Sequence, residues 1–126
     1  MKDFPEFVKR ANNRIGTAQQ NTADIEGCCY EGADGSQMAF WTCRADRASK
    51  PHQHDFDEYM VVVSGRYVAM LDGKQHLLGP GNELFIPRGT EQSGRCSAGT
   101  RPIHAFGGTR IRHDDTPASG RKKAAT

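Results

Sequence analysis

From Ile25 onward, apolar residues come in short runs divided by turn signals: "IEGCCYEG", "QMAFWTC", "EYMVVVSGRYVAML", "QHLLGPGN", "ELFIPRGT", "EQSGRC" and "RPIHAF". Short strand-like pieces at close spacing, broken by "DG" and "SG" pairs, predict an all-β sandwich or barrel. The run "YMVVV" is apolar at successive positions, so that strand must be covered on both faces. With Glu58 facing inward, Met60 and Val62 follow it, while Tyr59, Val61 and Val63 face outward and need another sheet, the N-terminal segment or a second subunit. Before Ile25, "FPEFVKRAN" offers one or two helical turns with Pro5 at a first helical position. The expected organisation is an N-terminal extension over 1–24, a β-barrel domain over 25–112 and a polar, disordered tail over 113–126.

Length and composition narrow the class. A chain of 126 residues with 36% hydrophobic and 25% charged residues suits one globular domain. A net charge of +2, with no patterned interleaving of basic and aromatic residues, excludes a nucleic-acid reader as the expectation. There is no apolar run of membrane length, and "MKDFPEFVKR" lacks a signal-peptide core, so the expectation is a cytoplasmic protein without a membrane partner. Cys28, Cys29, Cys43 and Cys96 show no CxxC spacing and are expected to be buried, reduced thiols in that compartment. The outward set Tyr59, Val61 and Val63 predicts a homodimer.

The chemistry concentrates in "KPHQHDFDEY". On an extended strand the side-chain period is two, so His52, His54 and Glu58 project to one face. Two imidazoles and a carboxylate form a 2-His-1-carboxylate set with open coordination positions, suited to iron, manganese, nickel or zinc. Lys50 shares their parity but reads as a solvated lysine, as do Arg88 and Arg95 as surface charge. Tyr67, Met70, Phe40 and Trp41 read as core. His76 and His113 have no partners in the sequence, and Glu91 should face away from its neighbour Gln92.

Downstream, "GNELFIPRGTEQSG" places Gly81, Pro87 and Gly89 at fixed offsets. Together with His52, His54, Glu58 and Gly65, this resembles the two motifs of the cupin family. That resemblance implies a small double-stranded β-helix, or jelly-roll barrel, with a divalent transition metal held inside. It implies a metal-dependent enzyme of dioxygenase, isomerase, lyase or cyclase type acting on a small organic substrate, or alternatively a non-catalytic module that binds a small molecule or metal. Two departures stand out. Asp46 replaces the opening glycine of the first motif, and Gln92 and Cys96 replace the histidine and asparagine of the second. Three readings stay open: Gln92 binds the metal or its water as the fourth ligand; His104 takes that place, in place of or beside Gln92, across a hairpin closed by "SAGT"; or the site holds no metal and the barrel binds an organic ligand alone.

Overall fold

The computed structural model describes residues 1–16 and 24–112. Among them, nine strands form two antiparallel sheets: Ile25–Glu31 (β1), Gln37–Cys43 (β2), Arg47–Ala48 (β3), Glu58–Ser64 (β4), Tyr67–Leu71 (β5), Lys74–Leu78 (β6), Glu83–Ile86 (β7), Gln92–Cys96 (β8) and Arg101–Phe106 (β9). One sheet runs β1-β2-β9-β4-β7 and the other β3-β8-β5-β6. Every strand-like piece of the sequence has become a strand, and the cupin-type β-barrel fits the result. The expected N-terminal helical turns are two short 3-10 turns, Glu6–Lys9 and Ala11–Asn13. The tail expected over 113–126 lies outside the described residues, and no described helix is long and apolar enough to cross a membrane.

Two packed clusters fill the interior. Ile15, Cys29, Ala39, Trp41, Phe106 and Ile111 make one, and Met60, Val62, Ala69 and Leu78 make the other. In β4 the parity is as the pattern predicts: Glu58, Met60 and Val62 are buried, while Tyr59 and Val63 are each 39% exposed. Part of the outer face is covered by the N-terminal segment, where Phe4 packs edge-on against Phe40 at 5.4 Å and Arg101 lies 4.8 Å over the Phe4 ring. The β5–β6 hairpin closes through Asp72 and Gly73 at φ 49° and 83°, the two positive dihedrals that a type I′ turn requires.

Two expectations are corrected. "SAGT" is not a hairpin loop: β8 pairs with β3 and β5, and β9 with β2 and β4, so residues 97–100 cross from one sheet to the other. Residues 92 and 104 are therefore not cross-strand neighbours. Cys43 and Cys96 are not free thiols either. They form a disulfide between β2 and β8 that joins the two sheets, while Cys28 and Cys29 remain buried and free. Asp46, in place of the motif glycine, accepts a hydrogen bond from the Ala98 N–H at 2.7 Å and so ties the β2–β3 connection to the inter-sheet crossing.

Candidate metal centre

Along residues 50–58, which bend at Asp55 and Phe56, burial alternates: His52, His54 and Phe56 are half-buried between exposed neighbours, and Glu58 is 3% exposed. His52 and Gln92 face each other in an antiparallel bridge with both backbone bonds made, His52 N–H to Gln92 O and Gln92 N–H to His52 O, each 2.8 Å. Residues paired directly across such a bridge put their side chains on the same face. That is how Gln92, from the four-stranded sheet, joins the set carried by the His52 segment and β4.

Glu58 is the hub. One of its oxygens lies 2.5 Å from His104 Nδ1; the other accepts from the Gln92 amide at 3.2 Å and lies 3.9 Å from His54 Nε2. His104 comes from β9, which pairs with β4 so that Met60 stands opposite His104 and both face inward. The structure thus brings His54, Glu58, Gln92 and His104 together. His52 stands at the rim, its ring 4.9 Å from that of His54 and its Nδ1 2.9 Å from the Lys50 carbonyl oxygen. When Nδ1 carries the proton and donates to that carbonyl, Nε2 keeps its lone pair for a ligand, the arrangement that orients metal-binding imidazoles.

Burial pushes the His54 ring down to about 4, and the charges of His52, Arg110 and His104 add to this against the opposing pull of Glu58. Burial raises Glu58, but the His104 hydrogen bond and charge, His54 and the Gln92 amide outweigh it and hold the carboxyl below its usual range. At neutral pH, then, His54 is neutral and Glu58 ionised, the forms in which they bind metals. Among the described residues, no three or more His, Cys, Asp or Glu side chains are already drawn together as a ligand cluster. The physical reason is visible in the hydrogen bonds: Glu58 is turned towards His104 and Gln92, so a metal would have to exchange with those partners. The donor set itself, two imidazoles, a carboxylate and an amide oxygen, fits a borderline divalent metal.

These residues line a cavity with Trp41, Ser49, Tyr67, Phe106 and Arg110. Tyr67 is half-buried, and the pKa of its hydroxyl is pushed up by burial and then by Glu58. It fits only because residue 94 is glycine, where a Cβ would overlap the hydroxyl. Tyr67 and Trp41 therefore serve both core and cavity. Arg110 is a cavity residue with no signal in the sequence. The remaining candidates lie apart: Lys50, Arg95 and Glu91 are exposed, and Arg88 pairs with Asp55 on the surface at 3.0 Å. His113 lies outside the described residues.

The two titrations have the same sign. Between about 4 and the unfolded value of 6.5, the unfolded chain protonates His54 and the folded chain does not, so stability falls as pH drops through that window. Glu58, held low, loses its contribution as pH falls through its lowered value. For His54 the loss reaches at most about 3 kcal/mol. Urea unfolding of chelator-treated protein at pH 7.5 and 4.5 should show it, with a flatter dependence in His54→Gln; equal midpoints at both pH values would count against it.

A family model, "Cupin domain", matches residues 39–105, more than half of the chain. No curated protein matches it. Among solved structures, KdgF from Halomonas sp. is 19% identical with a TM-score of 0.59, covering 73% of this chain and 89% of that one. An RmlC-like cupin from Shewanella frigidimarina is 16% identical with a TM-score of 0.67, covering 82% and 86%. A variant of salicylate 1,2-dioxygenase from Pseudoaminobacter salicylatoxidans is 12% identical with a TM-score of 0.62; the match covers 66% of this chain but only 26% of that one. At such identities these likenesses speak for the fold alone.

Proposed function

Because the chain belongs to the cupin domain family, we propose that it holds a divalent transition metal through His52, His54 and Glu58, with Gln92 as the weak fourth donor, and acts as an enzyme on a small organic substrate in the barrel. The observation that supports this most is the His52–Gln92 bridge, which sets Gln92 beside the two histidines and Glu58 on one cavity wall. When bound, such a metal supplies Lewis acidity or oxygen activation, and the choice among dioxygenase, isomerase, lyase and cyclase chemistry follows from the substrate. The chain's own residues do the rest. His104 orients Glu58 through Nδ1, the Lys50 carbonyl selects the His52 tautomer, and Trp41, Tyr67 and Phe106 exclude water from the bound substrate.

Metal titrations test the assignment. Gln92→His should raise zinc or nickel affinity clearly, since an imidazole replaces a neutral amide oxygen and one competitor for Glu58 is removed. His54→Ala should abolish tight binding. His104→Ala should be mild if Gln92 holds the fourth position and severe if His104 is the ligand, because His104 then leaves the set. Unchanged affinity in both Gln92→His and His54→Ala would sink the metal reading. Oxygen consumption and product formation with catechols, keto acids and sugar derivatives then separate the enzyme from a non-catalytic binding module, which would retain an organic ligand without turnover.

The working unit is a homodimer in this proposal. A row of side chains crosses the outer face of the five-stranded sheet: Phe85, Tyr59, Ala105 and Met38 stand opposite one another on β7, β4, β9 and β2. Phe85 is 60% exposed. The N-terminal segment covers the Phe40 side and leaves this row to a partner. Light scattering at micromolar concentration should give twice the chain mass, and Phe85→Glu should lower it; a monomeric wild type would refute the dimer.

A further inference from the structure

The chain has three tyrosines. The Tyr30 hydroxyl donates to the Phe7 and Val8 carbonyls at 2.9 and 3.0 Å, and the Tyr59 hydroxyl donates to Glu83 at 2.7 Å. The Tyr67 hydroxyl has no hydrogen-bond partner among the described residues. Its place is nevertheless fixed. Tyr67 stands opposite Cys96 across β5 and β8, and its ring leans along β8 until the hydroxyl takes the space that a Cβ on Gly94 would fill. Gln92, Gly94 and Cys96 share one face of β8 and all line the cavity, so that space lies on the cavity side. The hydroxyl is therefore inside the cavity, over a residue two positions from Gln92, and the Tyr67 ring is 6.1 Å from that of His104. Its surroundings explain why it is unpaired. Ser49 Oγ accepts the Gly94 N–H and the Ser49 N–H donates to the Gly94 carbonyl, each at 2.8 Å, while the two Glu58 oxygens are engaged by His104 and Gln92.

We propose that Tyr67 is a specificity-determining hydrogen-bond donor, and that the cavity takes small organic carbonyl compounds with the carbonyl oxygen on the Tyr67 hydroxyl and the apolar body against Trp41 and Phe106. The proposal rests on the reading of this cavity as a ligand site. A hydroxyl left unpaired between apolar walls costs free energy, and a ligand that supplies the missing acceptor recovers it. Trp41 and Phe106 are both buried and line the same space. The phenol keeps its proton at neutral pH, since burial and then the Glu58 charge disfavour the phenolate, so it presents a neutral donor. A carbonyl oxygen needs a donor alone. An alcohol brings a proton of its own, and the acceptors nearby, the Glu58 oxygens and Ser49 Oγ, are already bonded. For that reason the ligand assigned is a carbonyl compound.

Trp41 is the single tryptophan of the chain and lines the cavity, so its fluorescence reports binding directly. Cyclopentanone and cyclohexanone are titrated beside methylenecyclopentane and methylenecyclohexane, in which a CH2 group replaces the oxygen, with cyclohexanol as a further probe. Wild type and Tyr67→Phe are compared, each as purified and after chelation. The variant keeps the ring that packs over Gly94 and loses the hydroxyl alone. The ratio of ketone to alkene affinity should fall about fivefold or more in Tyr67→Phe, the loss of one hydrogen bond to a buried partner. A role confined to packing would change the melting temperature and leave that ratio alone. In the wild type, cyclohexanone should outbind cyclohexanol, a comparison that does not depend on the variant. The proposal is overturned if the ratio is the same in Tyr67→Phe, or if cyclohexanol binds as tightly as cyclohexanone; in both cases the cavity stands as a ligand site. A ketone preference that survives in Tyr67→Phe and disappears on chelation belongs to a metal, and overturns the role of Tyr67 alone. If no probe saturates, the ligand-site reading fails and this inference with it.

Discussion

Replacing Cys43 and Cys96 together by alanine, or reducing their bridge, is expected to lower the unfolding free energy by about 4 kcal/mol. The bridge spans a sequence separation of 53 and ties β2 to β8, one strand from each sheet. A cross-link over a loop of that length removes much of the freedom of the unfolded chain, and its loss restores it. Urea unfolding with and without reductant measures the change, and the slope should steepen because the unlinked chain exposes more surface. Equal midpoints in the two conditions would refute the prediction. Cys28→Ala, at a buried free thiol, serves as the control for reductant effects elsewhere. The bridge departs from the expectation of four reduced thiols at Cys43 and Cys96, while Cys28 and Cys29 keep to it.

Gly65→Ala is expected to cost about 3 kcal/mol or more, since backbone strain and a backbone collision act together. Gly65 has φ +86°, and a Cβ there would overlap Thr100 Oγ1 and come within 2.5 Å of Thr100 Cα. Thr100 is fully buried, and its hydroxyl accepts the Arg66 N–H and donates to the Arg66 carbonyl, each at 3.0 Å, so it has no room to retreat. Gly81 makes the contrast. Its φ is +85° but nothing lies within 4 Å of its missing Cβ, so Gly81→Ala should cost only about 1 kcal/mol, the dihedral penalty alone. Denaturant midpoints of the two variants decide it, and equal losses would show that the Thr100 contact is unimportant.

What the sequence revealed and what it hid divide along a physical line. A common face for His52, His54 and Glu58 is expected from the period of an extended chain, a local property, and the burial alternation from His52 to Met60 keeps that period through the bend at residues 55 and 56. The strands themselves were legible for the same reason. Which sheet each strand enters is not local. The short "SAGT" link suits a hairpin by length, yet β8 and β9 part into different sheets, and His104 reaches Glu58 from its own pairing with Met60. The Cys43–Cys96 pairing depends on that same inter-sheet closure, which no spacing between the two residues encodes. Arg110 was invisible because its direction is set by Gln37, far away in sequence, through bonds to the backbone of residues 110 and 111. The N-terminal segment kept its helical tendency only as 3-10 turns, short pieces that dock Phe4 and Val8 without a helix length that would be stable alone.

Elemental analysis of protein freshly purified and then dialysed after exposure to iron, manganese, nickel and zinc tests the metal assignment most directly. The expected result is about one equivalent of a divalent transition metal per chain in the wild type, and less than about a tenth of that in His54→Ala treated identically. A wild type that emerges free of metal from every exposure, or a His54→Ala variant carrying the same metal content, would contradict it.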